Sequence, residues 1–117
     1  MGYHTEFSGK FNLNHNLTVR HYNELKRFVT ERHDAYDNFT PGIWCGWTPS
    51  EDGDSIVWNG GEKFYNYVEW IDYLIANYFE PWGYVLNGKV NFRGENFDDV
   101  GSIFVVNNKV NVKKAEW

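Results

Sequence analysis

Phe64, Tyr67, Val68, Ile71, Leu74, Ile75 and Tyr78 recur at steps that put them on one side of a helix, and Pro81 and Gly83 stop the run. Spacing of this kind stacks apolar side chains into a single stripe. A proline followed by a glycine then ends the element. Asn59 with Glu62 three residues on has the form of a capping box and predicts the helix start. A helix with one apolar stripe has to bury it, so the rest of the chain is constrained to supply a matching apolar face.

The remaining segments have the pattern to do so. Tyr3, Thr5, Phe7, Gly9, Phe11 and Leu13 alternate with His4, Glu6, Ser8, Lys10 and Asn12, the period of a half-buried strand. Thr18 is placed to cap a helix running to about Arg32, with Tyr22, Leu25, Phe28 and Val29 as its stripe. Asp34 to Gly42 reads as a loop. Ile43–Thr48 and Ser55–Trp58 read as short strands joined through the turn-rich Pro49-Ser-Glu-Asp-Gly-Asp54. Tyr84, Leu86, Gly88, Val90 and Phe92 keep their alternation across Asn87-Gly88, which predicts one long strand rather than a hairpin. Ser102–Val106 is the next strand, and Asn107-Asn108 suits a tight turn into Val110 and Val112. The order β-α-β-β-α-β-β-β predicts a single α+β domain over residues 1–117, a mostly antiparallel sheet with two helices packed on one face. Strand order is left open.

Hydrophobic and aromatic contents of 42% and 20% are enough for a real core and exclude a disordered chain. The lone Cys45 has no partner for an intrachain bridge, which points to a reducing cytoplasm. The N-terminus lacks the apolar run of a signal peptide, and no stretch approaches the ~20 apolar residues of a membrane span. His4, His15, His21 and His33 lack zinc-ligand spacing, and Glu51-Asp52-Gly53-Asp54 lacks the ligand alternation of an EF-hand. Cys45 alternates with tryptophans, outside any nucleophile motif. With no phosphate loop or paired-carboxylate constellation, the expectation is a non-enzymatic protein without cofactor or metal.

Two surfaces remain as candidates. Residues 34–76 hold eight of the carboxylates that give the net charge of −5, against only Lys63. Glu51, Asp52, Asp54, Glu69 and Asp72, with Trp70 and Tyr73 flanking the apolar stripe, form a candidate contact surface for a protein partner. Alternatively, His4, Lys10, Lys89, Arg93, Lys109 and Lys113 share one polar side if the first, fourth and last strands are neighbours. Such a face suits phosphates or single-stranded nucleic acid. The aromatic residues of those three strands fall on the opposite side, however, unlike the stacking rings of RNA-binding sheets. An exposed edge strand would also allow a homodimer.

The opening Met1-Gly-Tyr-His-Thr-Glu-Phe7 resembles that of a family of small phage and bacterial proteins. So do Ile43-Trp-Cys-Gly-Trp-Thr-Pro-Ser-Glu-Asp-Gly53, Trp58-Asn-Gly-Gly-Glu-Lys-Phe64 and Pro81-Trp-Gly-Tyr-Val-Leu-Asn-Gly88. The resemblance covers most of the chain outside residues 34–41 and brings no activity with it. It implies a protein of a virus, prophage or related mobile element. The expectation is therefore an accessory protein acting in the host cytoplasm on a host macromolecule, such as a defence or nuclease protein. Binding of a nucleotide or single-stranded nucleic acid is the alternative, and a small enzyme of unknown chemistry is the third.

Overall fold

The computed structural model describes residues 3–34 and 39–114, so residues 35–38 of the predicted loop lie outside the described residues. Strand β1 (Thr5–Leu13) buries Thr5, Phe7, Phe11 and Leu13 along one side. Helix α1 (Val19–Thr30) begins at the predicted cap, where Thr18 Oγ1 accepts the His21 N–H at 3.1 Å. Leu25 and Val29 carry its buried stripe.

Two local expectations are corrected. Strand β2 is only Trp47–Pro49, pairing with β3 (Ser55–Trp58), and the predicted strand from Ile43 does not form. Residues 41–43 bend instead of extending, and Gly46 is pressed against the Phe64 ring, where a Cβ would come within 2.3 Å. Asn59 does not cap the second helix either. Its Oδ1 accepts the Gly61 N–H at 2.8 Å, closing a local turn in competition with helix, and Lys63 and Asn66 adopt left-handed backbone with φ 57°. Helix α2 therefore starts late, at Tyr67–Leu74, and Phe64 enters the core from the preceding loop.

From Leu74 the helix continues as a π-helical turn (Ile75–Phe79) and a last short turn (Glu80–Trp82). Pro81 has no N–H to donate and its ring crowds the carbonyl four residues back. The wider step, with the Glu80 N–H reaching Ile75 O, accommodates it. Gly83 then closes the helix with φ 85°, its N–H going to Glu80 O and the Tyr84 N–H to Phe79 O, a Schellman cap.

Strands β4 (Leu86–Gly94), β5 (Val100–Val106) and β6 (Lys109–Lys114) complete an antiparallel sheet ordered β2-β3-β1-β4-β5-β6. Asn107 and Asn108 both have positive φ, as a type I′ hairpin turn requires. The predicted α+β architecture, with two helices on one face of the sheet, is the observed one. Phe11, Trp47, Ile56, Trp70, Ile71, Leu74, Phe79, Leu86 and Ile103 are fully buried between the layers. The long β1–β4 ladder needs glycine twice. At Gly9 (φ 103°) and Gly88 (φ 149°) an added Cβ would fall 2.7 Å from the Lys89 and Lys10 carbonyl oxygens. Both sheet edges carry features that discourage pairing: β2 is three residues long and ends in Pro49, and β6 carries Lys109, Lys113 and Lys114. Among the described residues no helix is long and apolar enough to cross a membrane.

Candidate functional site

With both helices on one side, β1, β4, β5 and β6 turn their other side outward as adjacent strands. Register places Lys10 opposite Lys89, Lys89 opposite Phe104 and Phe104 opposite Asn111. The next row is Ser8, Asn91, Ser102 and Lys113, and beyond it Glu6, Arg93 and Val100. Lys109 closes the far edge opposite the exposed Val106. The condition on which the basic face depended is met for β1 and β4 alone: β6 is not their neighbour, and β5 lies between β4 and β6. Five cations point outward, and Glu6 is the only acidic residue on the four strands.

His4 stands apart from this set. It precedes β1, its ring lies 6.4 Å from that of Trp58, and its Nε2 is 4.0 Å from Glu6. It answers a carboxylate rather than extending the row of cations. Lys114 points the other way, to Asp99 Oδ1 at 2.8 Å, with its ammonium 5.7 Å from the Phe92 ring centre.

Phe104 is the residue that sequence reasoning missed. It sits half-buried in the outward row, with Lys89 Nζ 5.9 Å from its ring centre. No other aromatic residue of β1, β4, β5 or β6 faces outward. Apolar residues on both sides of β5 hid its orientation, because Ile103 and Val105 alternate with Phe104 and Val106. A shallow concavity of about 710 Å³ lies over this region, bordered by Ser8, Asn91, Arg93, Ser102, Phe104 and Lys113. Ser102 Oγ donates to Asn91 Oδ1 at 2.7 Å, and Asn87 Oδ1 accepts the Asn107 N–H at 2.8 Å. The capacity left on the Asn87 side chain is its amide donors.

The acidic candidate surface does not assemble as predicted. Trp70 is fully buried, and Tyr73 is half-buried and stacked on Phe28 with ring centres 5.7 Å apart. Trp70 lies on the inward stripe between Phe28, His33 and Tyr73, so it offers no contact to a partner. Glu51, Asp52 and Asp54 belong to the β2–β3 turn, which is held to the β1–α1 connection by Leu13 N–H to Asp54 O and Leu17 N–H to Gly53 O. Asp54 Oδ1 accepts from Ser55 and Ser50, and these bonds hold its carboxyl below the usual range. Glu69 and Asp72 are on α2, whose start is fixed near the other end of that hairpin by Trp47 Nε1–H donating to Tyr67 O at 2.8 Å. Burial, then the charge of Glu69, raises the Asp72 carboxyl.

Among the described residues the exposed tryptophan is Trp44 instead, at 58%, next in the chain to exposed Ile43. A concavity of about 390 Å³ adjoins it, bordered by Thr30, Asn59, Glu62 and Lys63. Cys45 next to it is buried, its Sγ donating to Trp47 O at 3.5 Å, and burial pushes the thiol up to about 12. A thiol so placed is not an activated nucleophile. Among the described residues no group of three His, Cys, Asp or Glu side chains could hold a metal ion. No protein-family model, curated protein or solved structure matches the chain.

Proposed function

We propose that this protein binds single-stranded nucleic acid across the open face of its sheet. One observation carries the reading: an acidic protein of net charge −5 gathers Lys10, Lys89, Arg93, Lys109 and Lys113 on one face, around the single outward aromatic ring of those strands. Cations along a backbone path with a ring for base stacking are the two components of sequence-tolerant single-strand binding. Fluorescence anisotropy of a labelled single-stranded oligonucleotide tests it. Binding is expected at low salt, weakening as salt rises and after Phe104→Ala. An unchanged anisotropy at low salt rejects it.

A second reading keeps a protein partner but moves its site. Trp44 and its chain neighbour Ile43 are both exposed, where the acidic surface loses its buried Trp70. Aromatic anchors of this kind supply much of the affinity in protein interfaces. The resemblance to phage and bacterial proteins favours a host macromolecule as the target in either case. Capture of one purified host protein by the wild type but not by Trp44→Ala would move the weight to this second surface.

A further inference from the structure

We infer that Lys10, Lys89 and Phe104 form a single nucleotide subsite, in which one phosphate is held between the two ammonium groups and its base stacks on Phe104. The inference rests on the open face being a nucleic-acid surface, and it specifies where one nucleotide sits. Lys10 and Lys89 are direct cross-strand partners on the same side of the sheet. Side chains so placed start ~5 Å apart, and like charges directly opposite one another repel. Neither ammonium lies within salt-bridge distance of a carboxylate among the described residues. Lys10 acts on Asp54 through its charge without forming an ion pair, and Asp54 Oδ1 accepts from Ser50 and Ser55.

A ladder position where two exposed lysines face each other with no ion-paired carboxylate can seat an anion that bridges both. The neighbouring groups agree with a phosphate. Asn87, two residues from Lys89 on the same side, has its oxygen committed to the Asn107 N–H, which leaves donors for phosphate oxygens. Lys89 now leans toward Phe104. Moving it to the phosphate frees the ring face for a base, so an exposed cation–π contact is exchanged for a charge-assisted hydrogen bond and a stack. Lys113 lies two strands across from Lys89 and one row along, a separation of ~12 Å from the ladder spacings. That places it outside the bridged phosphate.

The test is the salt dependence of oligonucleotide binding for wild type, Lys10→Gln, Lys89→Gln and the double variant, with Lys113→Gln as the same-face comparison. Each phosphate neutralised contributes ~0.7 to the slope of log K against log salt for a single strand. If the two lysines share one phosphate, each single variant lowers the slope by at most ~0.7 and the double variant by no more than that. Lys113→Gln combined with either should subtract further. A double variant whose slope falls by ~1.4 means two separate phosphates and overturns the shared seat. An unchanged slope in the double variant overturns it as well. Failure of the wild type to bind at all rejects the underlying function instead, so the two failures are distinguishable. An unfolding midpoint equal to wild type for the Lys10→Gln variant shows the fold intact, and one above it shows the repulsion relieved as well.

Discussion

Two fully buried tryptophans offer a controlled test of how this core is held. Trp47 Nε1–H donates to Tyr67 O at 2.8 Å, whereas the Trp70 Nε1–H is buried with no partner among the described residues, next to Gly42. Replacing either residue by Phe removes the same indole ring portion, and the comparison isolates the polar contribution to the extent that the two cavities collapse alike. The polar contributions have opposite signs. Trp47→Phe gives up a hydrogen bond worth about 0.5–1.5 kcal/mol net, whereas Trp70→Phe removes an unsatisfied donor whose burial costs about 1–3 kcal/mol. Trp47→Phe is therefore expected to be the more destabilising by about 1.5–4.5 kcal/mol. Urea unfolding followed by far-ultraviolet circular dichroism measures both, and equal slopes with urea are needed to compare midpoints. A Trp70→Phe variant that loses as much stability as Trp47→Phe would refute the reasoning, because it would mean that the Trp70 N–H is satisfied in solution.

Three further outcomes follow from other sites. Gly9→Ala is expected to cost about 1–3 kcal/mol or more, since its φ of 103° and the Lys89 carbonyl 2.7 Å away both oppose a Cβ. Gly60→Ala, at φ 82° with open space around it, should cost only about 1–2 kcal/mol, and thermal melts of the pair check the order. Cys45 should resist a thiol reagent at pH ~8.5 in the folded protein and react promptly in denaturant, as its thiol is pushed up to about 12. The Asp99 carboxyl is held below its ordinary range by Lys114 first and by Tyr3 second. A depressed carboxylate contributes stability above the unfolded value near ~4 and loses it as pH falls through its folded value. The stability gap between wild type and Asp99→Asn should therefore be present at neutral pH, at most about 1 kcal/mol for so accessible an ion pair, and close below pH ~4 in a denaturation series.

Elements whose local chemistry and tertiary role agree were legible in the sequence. Thr18 caps α1, Gly83 closes the second helix and Asn107-Asn108 makes the β5–β6 turn because side-chain and backbone preferences decide those positions locally. The long strand through Gly88 was legible because alternation survives a glycine. Asn59 misled because the same side chain that caps a helix also closes a turn, and the preference of Gly60-Gly61 for the turn decided between them. Helical spacing from Phe64 misled for a related reason: an apolar residue entering the core from a loop occupies the next position of the stripe. The candidate site was half legible. Alternation showed which residues share a face within a strand, but strand order decides which faces meet. Only adjacency of β1, β4 and β5 brings Lys10, Lys89 and Phe104 into one row. Trp70 was misplaced because a tryptophan beside a glutamate reads as amphipathic, while α2 turns it wholly inward between the two helices.

Nuclear magnetic resonance of the isotope-labelled protein, titrated with a single-stranded oligonucleotide at low salt, tests the central claim most directly. Binding across the open face predicts shifts of the amides of Lys10, Lys89, Asn91, Ser102, Phe104 and Lys113. Glu69, Asp72 and Trp44 should stay still. Shifts confined to the Trp44 loop, or a spectrum indifferent to the oligonucleotide, would contradict it.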